Sequence, residues 1–214
     1  MGRLILIDGL AAAASLALWY FLFSRYNRKK GAAALRWVEA ACSGKAQITD
    51  AEWTSASRLR ARLRFLSRWF HHAQVTVRLR PRPVPVQWLL SLWRKQRETL
   101  TFEADLDFVP GFNLEVVRHR WMTHPRTKDT REWSISRPGP VVLTTRSHWT
   151  QEITPLVNTL MTSRGHNLVS VRFRSQSPHI AATVPLDALC DQQAAVEFMG
   201  MLRELAAGAS THQQ

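Results

Sequence analysis

Apolar residues dominate the stretch from Leu4 to Phe23 (LILIDGLAAAASLALWYFLF), where Asp8 is the single charge. A helix of twenty residues rises about 30 Å, the thickness of a bilayer's hydrocarbon core. No Gly or Pro interrupts residues 10–30, so the helix is expected to continue past the apolar run; Gly31 is its first weak point and Ser43-Gly44 its stop. Beyond it, Thr49-Asp50-Ala51-Glu52 matches a capping box, and Trp53, Ala56, Leu59, Leu63, Leu66 and Phe70 recur at three- and four-residue steps. The same stretch also alternates as Arg58-Leu59-Arg60-Ala61-Arg62-Leu63-Arg64-Phe65, which suits a strand. The capping box, with no Gly, Pro or β-branched residue from 55 to 74, favours a helix. Its apolar face is expected on the domain core in preference to a membrane surface.

Gln74 to Arg80 alternates like a strand and is ended by Pro81, Pro83 and Pro85. Val86 to Glu98 predicts a second amphipathic helix: Val86, Leu89, Leu90 and Trp93 form an apolar face, Gln87, Ser91, Arg94, Lys95 and Glu98 a polar one. Core packing is again preferred to an interfacial position. Thr99 to Phe108 then alternates with period two, Val109-Pro110-Gly111-Phe112 turns the chain, and Asn113 to Met122 returns. A direct hairpin places Glu103 opposite Arg118. Further strands are expected over Arg131–Ser136 and Val141–Arg146, a polar loop over His124–Thr130, a turn over Arg137–Pro140, and a helix over Trp149–Arg164. A second hairpin pairs Leu168–Arg174 with His179–Val184, and a last helix runs from near Asp187 to Gly208.

This order argues an α+β fold: a single N-terminal transmembrane helix, then one domain with an antiparallel β-sheet covered by helices. The divisions are 1–24 (anchor), 25–73 (basic juxtamembrane helical segment), 74–208 (α+β domain) and 209–214 (disordered tail).

Charge changes the picture. The 214 residues carry 29 Lys plus Arg against 16 Asp plus Glu. Residues 25–100 hold 17 basic and 4 acidic residues, while residues 101–214 hold 11 of each, so the excess sits next to the apolar run. A cleaved signal peptide would carry its cations before the run and a small-residue site just after it. Here Arg25, Arg28, Lys29 and Lys30 follow the run, and a buried core helix of this length at the very start of a chain is rarer still. The reading is therefore an uncleaved signal-anchor of a bacterial cytoplasmic (inner) membrane, amino terminus out and domain cytoplasmic. The bilayer is the expected partner, beside an unknown protein partner; the cations either meet its anionic phospholipid headgroups or form a solvated basic surface without specific contacts. The candidates for membrane-surface contact are Arg25, Arg28, Lys29, Lys30, Arg58, Arg62, Trp88 and Trp93. Nucleic acid is disfavoured, because no binding motif accompanies the arginines.

The chain carries no nucleophile elbow, Gly-rich phosphate loop or HExxH, and no cofactor is expected. Glu103, Asp105 and Asp107 alternate along one strand and read as a solvated ladder, not a metal site; adjacent His71 and His72 make no paired ligand set. Cys42 and Cys190 read as buried or half-buried thiols. The expected function is a non-catalytic binding or adaptor domain, working through its sheet face or exposed tryptophans. The alternative is a domain at the membrane surface that encloses a lipid or other apolar ligand.

Overall fold

The computed structural model describes residues 2–42, 44–66, 69–118, 133–136, 141–146, 153, 169–188 and 192–210. Helix α1 (Gly2–Cys42) is continuous through Gly31 and ends where Gly44 takes a positive φ of 74°. Its two halves meet different surroundings. None of residues 5–18 is buried, and this apolar arm stands clear of the rest of the chain. It is long and apolar enough to cross a membrane. Farther along, Asn27, Gly31, Ala34, Val38, Ala41 and Cys42 are buried at three- and four-residue steps, the spacing of one helical face.

Nine strands among the described residues form one antiparallel sheet: β1 (Ala46–Ser55), β2 (Arg58–Phe65), β3 (Phe70–Arg78), β4 (Thr99–Leu106), β5 (Leu114–Arg118), β6 (Trp133–Ser136), β7 (Val141–Arg146), β8 (Ser170–Phe173) and β9 (Ile180–Pro185). Their spatial order is β1-β2-β3-β4-β9-β8-β5-β7-β6. Helix α2 (Pro85–Trp93) lies in the connection from β3 to β4, and α3 (Gln192–Ser210) follows β9 after a short 3-10 turn. The core lies between one sheet face, including Leu59, Val75, Leu100, Phe102 and Ile180, and the buried stripes of α1 and α3. On α3, Phe198, Leu202, Leu205 and Ala209 form that stripe, and Phe198 meets Trp37 of α1 at 6.4 Å between ring centroids. The α+β class is thus the observed one.

The helix expected over Trp53–Phe70 is instead a β-hairpin, β1 with β2. Period two wins because it places Leu59, Ala61 and Leu63 together on the core face and Arg58, Arg60, Arg62 and Arg64 together in water. A helix would have wound those arginines around its circumference, some of them over the core. The capping-box residues lie in β1, where Thr49 Oγ1 donates to the Arg62 carbonyl at 3.3 Å. The boundary expected between residues 73 and 74 falls inside β3, which pairs with β2, so residues 46–73 belong to the sheet.

The hairpin expected from Thr99–Phe108 back through Asn113–Met122 does not form. β4 pairs with β3 and β9, β5 pairs with β7 and β8, and the β8–β9 hairpin lies between them. Glu103 therefore faces Gln74 and Ala181, and Arg118 faces Val141. The connection through Pro110 and Gly111 spans a gap of about 14 Å, three strand spacings, which a two-residue turn could not do. The hairpin of β8 and β9 and the strand Val141–Arg146 lie where the sequence pattern puts them, and Arg131–Ser136 is a strand from Trp133. The final helix runs past Gly208 to Ser210, so residues 209 and 210, expected in a disordered tail, belong to α3, where Ala209 is buried in the core. The segments His124–Thr130, Arg137–Pro140 and residues 211–214 lie outside the described residues, as does Trp149–Arg164 except for Ile153.

Candidate functional site

One end of the sheet gathers around the point where α1 leaves its apolar arm. The β1–β2 turn, the connection through α2, the start of β4 and the end of β9 all lie there, because the Asn27 side chain of α1 donates to the Ala56 carbonyl at 3.0 Å and to that of Arg80 at 3.1 Å. Asn27 is fully buried, and its Oδ1 accepts from Arg82 Nη1 at 3.2 Å. Both the nitrogen and the oxygen of its amide are thus paired.

Beside it lies Glu98, 4% exposed. Its carboxylate accepts from Lys30 Nζ, from Arg82 Nη1 at 2.6 Å and from the Arg80 backbone N–H at 3.2 Å. Burial pushes the Glu98 carboxyl up. The Lys30 and Arg80 hydrogen bonds and the charges of Arg82 and Lys30 outweigh burial and hold it below the ordinary carboxylate value. The guanidinium of Arg82 also stacks over Tyr26 at 4.9 Å. The β1–β2 turn, the connection that leads to α2 and the start of β4 are thus locked to α1 by a polar knot in which Lys30, Arg82 and Glu98 are all paired.

Helix α2 is placed by aromatic contacts. Trp88 lies 5.7 Å from Trp19 and 6.3 Å from Phe23, ring to ring, and Trp19 Nε1 donates to the Arg82 carbonyl at 3.0 Å. This sets α2 level with the last turns of the apolar arm. Pro85 opens the helix with its fixed φ and its missing N–H, both suited to a first turn. The apolar stripe predicted from sequence is real but points the other way. Val86, Leu89, Leu90 and Trp93 are 68%, 60%, 43% and 81% exposed, while Ser91 is buried. The expectation that this stripe packs in the core is overturned, because the α1 aromatics and the polar knot take up the protein side of α2.

The eight residues singled out by sequence divide accordingly. Arg25, Arg28 and Lys29 are exposed just past the arm. Lys30 instead faces inward and is committed to Glu98. Trp88 is half-buried against α1, and Trp93 is the most exposed ring of α2. Arg58 opens β2 at the α2 end, whereas Arg62 lies about 13 Å farther along the strand, too far to share a site with α2. Asn27, Gly31 and Glu98 were not singled out. The signal for the first two was the stripe of small or polar residues on α1; Glu98 gave none, because its partners are remote in sequence.

The clefts lined by described residues include three of note. One, of about 290 Å³, sits between β2, β3 and α2 and is lined by Ser55, Ser57, Arg58, Arg78, Gln87, Leu90 and Arg94 among others. A second, of about 320 Å³, surrounds Glu115 and Arg172, which pair at 2.8 Å. The third lies at the far end of the sheet beside His71 and His72. There the carboxylates of β4 and the residue after it are met by β3: Glu103 by Gln74, Asp105 by His72 and Asp107 by His71. No group of three metal-ligating side chains occurs among the described residues. Cys42 is fully buried; burial, against the opposing charge of Arg203 and reinforced by Glu39, pushes its thiol up to about 11. Cys190 lies outside the described residues.

The chain matches no protein-family model and no curated protein sequence.

Proposed function

We propose that this protein is a single-pass membrane protein whose sheet domain is held against the cytoplasmic face of the bilayer as a non-catalytic binding or adaptor module. The observation that carries the reading is the alignment of two exposed apolar surfaces. The arm of α1 offers about 30 Å of apolar helix. The stripe Val86, Leu89, Leu90 and Trp93 is exposed at the level where that arm ends. In water such a stripe would be a liability. Laid into the headgroup boundary it is buried, at the depth that interfacial helices favour. Trp19 and Trp88 then occupy the interface, and Arg25, Arg28 and Lys29 follow directly on the side that keeps its cations in the cytoplasm.

The polar knot supports the module reading. It joins α1 to the β1–β2 turn, α2 and β4 without a flexible linker, so the domain is held in one orientation. The strands then run away from the bilayer and present the arginine row of β2 to partners in the cytoplasm. Two measurements test the reading together. Full-length protein should resist alkaline carbonate extraction from membranes, and a reporter fused after Gln214 should be active on the cytoplasmic side. Release by carbonate refutes the anchor; a reporter active only on the opposite side refutes the orientation.

A further inference from the structure

We infer that the cleft between β2, β3 and α2 binds the phosphate of an anionic lipid headgroup. The inference rests on the membrane reading above and adds a defined ligand site to it. Three arginines line the cleft from three elements: Arg58 from β2, Arg78 from β3 and Arg94 from the end of α2. No carboxylate lines it among the described residues, and none of the three arginines has an ion-pair partner among them. The nearby Glu98 is already occupied by Lys30 and Arg82.

Arg58 and Arg78 are direct cross-strand partners. Like charges in that relation destabilise a sheet, and an anion between them removes the penalty. A phosphate is the anion best matched to several guanidinium forks at once. Neutral donors complete the lining. The Ser55 Oγ accepts from the Ser57 N–H at 3.3 Å, which leaves its own hydroxyl proton to donate, and Gln87 of α2 also lines the cleft. The lipid source follows from position: Leu90 lines the cleft and also belongs to the exposed apolar stripe of α2. A phosphate seated on the arginines thus lies beside a surface suited to the acyl chains attached to it.

The test reconstitutes the full chain in nanodiscs of phosphatidylcholine with a minor fraction of phosphatidic acid and counts lipids retained on gentle release by native mass spectrometry. Wild type should retain phosphatidic acid selectively. Arg58→Gln/Arg78→Gln should insert equally well, melt no lower than wild type, and retain it at least about tenfold less. Arg94→Gln, on an exposed helix end, gives the same readout should the double variant misfold. Normal insertion with no selectivity for phosphatidic acid, or equal retention by folded variants, overturns the inference and leaves the anchor reading intact. Complete displacement of the lipid by inorganic phosphate at no more than the lipid's own concentration also overturns it, since the site would then show no preference for a lipid over a soluble anion.

Discussion

The indole of Trp19 in α1 lies 5.7 Å from the indole of Trp88 in α2, so a residue inside the apolar arm touches a helix that belongs to the sheet domain. This contact ties the depth of one element to the depth of the other. Whatever buries the arm also meets the stripe of α2, and the domain does not swing freely relative to the arm.

The polar knot makes Glu98 a stability determinant with a defined pH dependence. Glu98→Gln keeps shape but loses the charge that Lys30 and Arg82 face, and is expected to destabilise by about 2–4 kcal/mol near neutrality, a range lowered because Lys30 is partly exposed. A carboxyl whose folded pKa is depressed contributes its stability in full above its unfolded pKa and loses it as pH falls through the folded value. The gap between wild type and Glu98→Gln should therefore be constant above about 4.5 and close below it. Thermal melts of both proteins in non-ionic detergent across that range check this; a gap that widens in acid would contradict it.

Gly31 is a packing residue. A Cβ there would stand 2.8 Å from the ring of Trp53 and 3.0 Å from Leu59. Gly31→Leu gains helix propensity but overpacks the joint between α1 and the β1–β2 hairpin, and should cost about 1–3 kcal/mol net. Gly9→Leu, which meets nothing within 4 Å, should leave stability unchanged or raise it slightly in the same melt.

The β1–β2 hairpin is open to a test on neighbouring residues. Leu59→Ala should destabilise by about 2–5 kcal/mol, because Leu59 is buried, whereas Arg60→Ala should change stability by less than about 0.5 kcal/mol. Equal effects would mean that the alternation does not govern this segment.

That segment also marks where sequence reading failed. Its arginines alternate strictly with Leu59, Ala61 and Leu63, and the period-two pattern was visible. A local capping match outweighed it, although such a match has no force unless the following face is buried as a helix. The apolar arm, β7, β8, β9 and α3 were legible because each carries one unambiguous period or a clear boundary. The pairing of β4 was not, since partner choice in a sheet depends on which later hairpin arrives to fill the gap. The stripe of α2 was read correctly as a pattern and wrongly as a destination. Periodicity reports that a face is apolar, and only Trp19 and Phe23, far back in the chain, decide which side of the helix the protein occupies. The knot was invisible for a related reason: Asn27, Lys30, Arg82 and Glu98 meet only after the topology is complete.

Cys42 should be inert in the folded protein. With its thiol raised to about 11 and its side chain buried, alkylation at mildly alkaline pH should be negligible until the protein is unfolded. Peptide mass spectrometry after iodoacetamide treatment, with and without denaturant, reads this directly; rapid modification without denaturant would show that the α1–α3 joint opens.

On the proposed reading, α2 lies in the bilayer surface while the arginine row of β2 leads away from it. A fluorophore placed at Trp93→Cys or, separately, at Arg62→Cys, each with Cys42 and Cys190 replaced by Ser, reports this in nanodiscs containing shallow spin-labelled lipid. Strong quenching at position 93 and weak quenching at position 62 is the predicted result. Equally weak quenching at both positions would place α2 in water and contradict the account.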